Sequence, residues 1–161
     1  MAGRPRKAPL VINVKIDGLR ETLAAFRALP KEASAEMRDE AGKIAADMAG
    51  WISSAAMADS RQSALVAGTV KVRRDRVPVV EIGGTAKVGT GSGRQKARAY
   101  QILFGANFGA RSFPQFRGWA GKGNDYFVFT NIEAHEREIE SRYLDAADRV
   151  IAKWSTSTGT T

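Results

Sequence analysis

The chain has 161 residues, 43% hydrophobic and 26% charged, which is the composition of one ordinary folded domain and excludes a wholly disordered chain. It contains no cysteine, so a disulfide and a thiolate zinc site are both excluded. The net charge is +8 and unevenly spread: Arg4, Arg6 and Lys7 mark the start, and residues 71–98 hold eight bases against Asp75 and Glu81, while residues 131–154 hold six acids against four bases. Such asymmetry points either to a polyanionic or acidic protein partner or to an ordinary solvated surface.

Residues 1–9 read as a flexible basic arm. The apolar run behind it is short and broken by Asn13 and Lys15, which argues against a signal peptide. No stretch approaches the ~18 apolar residues of a membrane helix, and no membrane partner is expected. Leu10, Ile12, Val14 and Ile16 alternate as in a strand with one buried face. Leu19, Leu23 and Phe26 then share a helical face up to Leu29, where Pro30 stops the helix. A longer helix is expected over 31–52, with Met37, Ala41, Ile44, Met48 and Trp51 on one stripe and many alanines allowing close packing. "SSAAMADSRQS", residues 53–63, reads as a frayed helix end and loop.

"GTVKVRRDRVPVVEIGG" has the pattern of a hairpin turning at "RRDR". Pro78 cannot donate to a ladder, so the second strand is either an edge or begins just after it. Residues 84–98 lack apolar periodicity and read as a mobile basic loop. A short helix is plausible over 99–104, followed by an aromatic, glycine-punctuated loop over 105–124 and a strand over 126–130. Thr130 and Glu133 have capping-box spacing for a last helix. Its buried stripe would be Ile132, Ile139, Tyr143, Ala146, Val150 and Trp154. Glu133–Arg137, Glu138–Arg142 and Asp145–Arg149 are spaced as ion pairs on its outer faces. Residues 155–161 read as a disordered tail. The whole is expected to be a single α+β domain over 10–154, a small and mostly antiparallel sheet against two or three helices with long loops.

No catalytic, cofactor or metal site emerges. Gly89, Gly91 and Gly93 are followed by Arg94 and Gln95, which fails the spacing of a phosphate loop and of a dinucleotide fingerprint. His135 is the single histidine, set among glutamates on the last helix, and reads as a helix-face residue. The carboxylates follow salt-bridge spacing, not that of a metal cluster or a hydrolytic pair. The bases at 71–76 and 87–98, near Tyr100, Phe104 and Phe108, give some support to nucleic-acid binding. No helix-turn-helix, RRM or zinc-finger pattern accompanies them. Phe108, Phe113, Phe116 and Trp119 are many aromatics for the exposed loop of a lone monomer, so they either fold back or bury at an interface.

Four stretches taken in order carry a resemblance: "VINVKIDGLRETLAAFRALPKE", "DEAGKIAADMAGWI", "YQILFGANFGARSFPQF" and "GNDYFVFTNIEAHEREIESRYLDAADRVI". Together they resemble the small minor tail or tail-completion proteins of long-tailed double-stranded DNA phages, the gene-ten-like neck family related to the lambda Z-type tail protein. Thr130 stands where many members have proline. The resemblance spans roughly Val11 to Ile151 and implies structural work at the head–tail junction of the virion, without catalysis, after assembly in the host cytoplasm. It implies a homo-oligomeric ring, expected to be a hexamer or dodecamer, acting as tail terminator or connector beside portal-side and tail-tube proteins, with contact to DNA in the channel as a further option. Lys87, Arg94, Lys96, Arg98, Tyr100, Phe104, Phe108, Phe113, Phe116 and Trp119 are the expected interface residues. A free basic nucleic-acid-binding domain is the alternative reading.

Overall fold

The computed structural model describes residues 9–89, 96–110, 112–116 and 126–157. Residues 1–8, Arg94 and Trp119, to which the sequence reading gave roles, lie outside them. The order is β1 (Pro9–Asn13), α1 (Leu19–Ala25) with a 3-10 turn over Phe26–Ala28, α2 (Lys31–Asp59), α3 (Arg61–Ala67), β2 (Lys71–Arg73), β3 (Val79–Gly83), β4 (Lys87–Val88), β5 (Ala97–Arg98), α4 (Ala99–Phe108) and α5 (Phe129–Ser157). The α+β class is as expected, but among the described residues the helices number five and outweigh the sheet.

Two 29-residue helices, each roughly 43 Å long at 1.5 Å per residue, form the frame. Alanine gives α2 high propensity without side-chain entropy cost. Its fully buried Ala33, Ala41, Ala45 and Ala56 let neighbours approach closely, while Met37, Met48 and Ile52 fill the seam. From α5, Ile139, Tyr143, Ala146, Ala147 and Val150 come to the core, and Trp154 is half-buried beside them.

Polar side chains tie the flank of the α2–α5 pair. Lys153 Nζ lies 2.9 Å from both oxygens of Glu36, and Trp154 Nε1 donates to Glu36 Oε2 at 2.8 Å. Arg149 Nη2 reaches Glu40 at 3.4 Å, and Arg142 Nη2 reaches Asp47 at 2.6 Å. Numbers fall on one helix as they rise on the other, so the pair is antiparallel. The Lys153 and Trp154 bonds hold the Glu36 carboxyl below its ordinary pKa. Asp47 raises that of Arg142.

Several expectations need correction. The 53–63 segment is helical almost throughout. α2 continues to Asp59, and Ser60, in extended backbone, breaks it for one residue. The Ser60 hydroxyl then accepts from Ser63 N–H at 3.1 Å and caps α3, a pattern hidden by reading serines only as breakers. Residues 126–130 are not a strand: Phe127 and Val128 turn, and α5 begins at Phe129, so Thr130 sits inside the first turn instead of capping it. A short aromatic, β-branched run fits either state, and tertiary contacts decided this one. Asn107 Oδ1 accepts from Val128 N–H at 3.2 Å, while Phe108 packs against Tyr126 and Phe129. The expected tail begins as helix: α5 runs to Ser157, with the Thr156 hydroxyl bonded back to Ala152 and Lys153 carbonyls. Of the expected pairs on the outer faces of α5, Arg142–Glu138 is formed at 3.3 Å, whereas Arg149 turns to α2.

The sheet is antiparallel in the order β1-β3-β2, with Ile12 opposite Val80 and Val72 opposite Val80 on the other side. Pro78 thus precedes the central strand, not an edge. Gly83 and Gly84, at φ 92 and 80, then turn the chain out of β3 in backbone that L side chains rarely adopt. The expected 84–98 loop is anchored at both ends: Lys87 pairs with Arg98 and Val88 with Ala97 in a two-stranded ribbon.

Tyr143 is fully buried, and its hydroxyl finds no hydrogen-bond partner among the described residues. Burial pushes its pKa up to about 12 from the usual 10.0, with smaller opposed effects from Arg76 and Asp75. The native state therefore favours the neutral phenol. Its contribution is complete below pH 10 and is lost as pH rises toward 12. Tyr143→Phe should be as stable as wild type at neutral pH, or more stable by about 1 kcal/mol, and should lose less stability in that alkaline window. Urea unfolding across pH checks this, and a clear loss at neutral pH would show that the hydroxyl has a partner.

Candidate interaction groove on helix α4

Helix α4, "AYQILFGANF", is apolar nearly all round. Such a helix belongs inside a protein, yet among the described residues this one has a core on one side only. Tyr100, Ile102, Leu103, Ala106 and Asn107 are buried, while Phe104 keeps 50% of its surface exposed. Its start is fixed by Gln101, whose Oε1 accepts from Arg98 N–H at 2.8 Å, and by Tyr100 N–H donating to the Gly84 carbonyl at 2.9 Å. Close approach holds it to the sheet: a Cβ on Gly83 would stand 3.0 Å from Leu103 Cδ2.

The turn at 112–116 folds back onto this helix. Phe116 N–H donates to the Phe113 carbonyl at 3.1 Å, and the Phe116 ring lies flat against Gly105, where a Cβ would come within 2.7 Å of it. Phe113 meets Phe116 edge-on with centroids 6.4 Å apart, yet Phe113 remains 57% exposed. Between the turn and the helix runs an open groove of about 490 Å³. Phe104, Phe108, Phe113 and Phe116 form its walls, with Gln101 and Gln115 as its polar groups. Covering the remaining exposed halves of Phe104 and Phe113 would contribute about 1 kcal/mol each.

A basic rim borders the groove through Ala97 of β5. Lys87, Lys96 and Arg98 are exposed there. Arg98 donates from Nη1 to the Thr85 carbonyl at 2.9 Å, and its cross-strand neighbour is Lys87.

Of the expected interface residues, Phe104, Phe108, Phe113 and Phe116 come together in this groove, with Lys87, Lys96 and Arg98 along the rim. Tyr100 is only 8% exposed and packs inward. The 105–124 segment is not a loop from its start, because α4 runs to Phe108 and Gly109, at φ 77, ends it. Sequence reasoning missed Gly105, Gln101 and Gln115; "FGANFG" held a signal for the first, since a small residue between aromatics leaves room for a ring. The bases of the hairpin are partly spent locally: Arg73 lies 3.4 Å from Glu81 and Arg74 lies 2.8 Å from Asp39.

His135 lies elsewhere, stacked on Trp51 of α2 with centroids 3.9 Å apart and planes 15° from parallel. Its Nδ1–H donates to the Asn131 carbonyl at 2.8 Å. Among the described residues no three of His, Cys, Asp or Glu gather as metal ligands, and no helix is long and apolar enough to cross a membrane. No family model, no curated protein and no solved structure matches the chain.

Gly105→Ala tests the seat of the Phe116 ring. The ring should leave α4, with loss of nuclear Overhauser contacts between its protons and position 105. Global stability should hold or rise, because alanine favours helix over glycine by up to ~1 kcal/mol. Retained ring contacts would show that the turn does not depend on this close approach.

Proposed function

We propose that this protein is a structural subunit of the bacteriophage head–tail junction, working by assembly into a ring and not by catalysis. The observation that carries the assembly half is the α4 groove, which none of the described residues covers. It is apolar, walled by four phenylalanines and edged by cations. Exposed aromatic clusters with a polar rim are what protein interfaces bury at their centres. A ring subunit needs such a surface and a different one to receive it, because closed rings are built from heterologous contacts. The phage half rests on the resemblance of the four stretches between Val11 and Ile151.

The virion neck is the proposed location, with tail-tube and portal-side proteins as neighbours. The alternative, a free nucleic-acid-binding domain, draws less support: Arg73 and Arg74 are committed to Glu81 and Asp39, and the rim cations stand beside an apolar groove.

The test is a phage in which this gene is silenced. DNA-filled heads and separate, unjoined tails are expected under electron microscopy, with joining restored by the wild-type protein supplied in trans. The Phe104→Ser/Phe113→Ser variant should keep the wild-type melting profile and fail to restore joining. Normal particles without the protein, or salt-sensitive DNA binding by an isolated monomer that never enters particles, would contradict the proposal.

A further inference from the structure

We infer that the α4 groove is covered by a second copy of this chain, which presents the outer face of its own α5. The inference deepens the assembly reading and rests on it.

The groove's rim asks for an anionic neighbour. Lys87 and Arg98 stand directly opposite each other on β4 and β5, and Lys96 adjoins them. Like charges in that relation repel, and a partner carboxylate relieves the repulsion. The chain's own α5 has such a surface. Its bases Arg142, Arg149 and Lys153 are drawn to the α2 flank by Asp47, Glu40 and Glu36. The face turned away from the core carries Glu138, Asp145 and Asp148 with Arg137, among Ala134, Ser141 and Ala152, all exposed, and is acidic on balance. Around Asp145 and Asp148 its neighbours on that face, Ser141 and Ala152, are small. Small side chains leave room for projecting rings, which is what Phe104 and Phe113 offer.

A single copy cannot bring the two surfaces together. α5 leaves the neighbourhood of α4 at Phe129, whose ring lies 6.0 Å from that of Phe108. Asp145 and Asp148 lie about 24 and 28 Å farther along the helix axis. The complementary faces therefore meet only between copies. Because they are different patches, each copy uses both, and the contact is head-to-tail. Charge complementarity then fixes register and steers encounter.

A charge swap tests this on the full-length protein. Wild type should self-associate in sedimentation velocity, less strongly as salt is raised. Lys87→Glu/Lys96→Glu and Asp145→Lys/Asp148→Lys, each confirmed folded by circular dichroism, should each weaken association by roughly tenfold or more. An equimolar mixture of the two should recover it, because each variant then supplies the charge that the other now needs.

A wild type that stays monomeric, variants that associate as wild type does, or a mixture that fails to recover would each overturn the inference. Association lost in Phe104→Ser/Phe113→Ser but indifferent to both charge variants would give the groove another occupant and overturn it too. Immunogold labelling of particles decides the neck reading separately. Labelled necks with rings built through another surface would leave that reading standing and remove this one.

Discussion

The antiparallel contact of α2 with α5 is the constraint from which the rest follows. Glu36 faces Lys153, Glu40 faces Arg149, Asp47 faces Arg142 and Trp51 faces His135, a constant register over most of both helices. The two kinds of contact do different work. Exposed ion pairs contribute at most ~1 kcal/mol each, whereas each large side chain sealed in the seam contributes about 1.5–3 kcal/mol. Met37, Met48, Ile52, Ile139 and Tyr143 therefore hold the helices together. The charged flank selects direction and register, since parallel or slipped helices would forfeit the whole series. It also draws Arg142, Arg149 and Lys153 toward α2, which leaves Asp145 and Asp148 on the far side.

The smaller elements hang on that frame, and the place where they stop short is the α4 groove. Val80 and Ile82 carry the sheet into the core, and Leu103 packs α4 against Gly83. Asn107 ties the end of α4 to the start of α5 by accepting from Val128 N–H, a buried contact on that side. On the opposite side of α4 the cover among the described residues is one short turn, held by a phenylalanine on a glycine. Among the described residues the core is complete around α2 and α5 and incomplete around α4. This difference between two regions of one small domain is the physical basis for reading it as a part of an assembly.

Much of the frame was legible in the sequence because it rests on periodicity. The stripes on α2 and α5, the hairpin, the break at Pro30 and the turn at Gly83-Gly84 all follow from local spacing. What escaped was decided by contacts distant in sequence. Residues 126–128 have strand-like composition, yet Asn107 and Phe108 fold them into the entry to α5. The acids of α2 and bases of α5 were visible as charges on separate helices, but i,i+4 spacing suggested partners within α5, and only the fold brings Arg149 to Glu40. The site was half legible: composition marked the aromatics and the bases, but not that Tyr100 turns inward. Gly105 looked like punctuation in a loop. It is a helical residue whose missing side chain seats a ring.

Helix α4 is a finished helix whose surface the described residues leave unfinished, and amide hydrogen exchange reads that most directly, in the isolated protein and again in the assembled particle. Alone, the amides along the α2–α5 seam should be the most protected, and those of the 112–116 turn and the outward side of α4 markedly less so. On assembly, protection should rise at α4, the turn and the outer face of α5, with little change along the seam. Full protection of α4 and the turn in the isolated protein, or no gain there on assembly, would contradict the account.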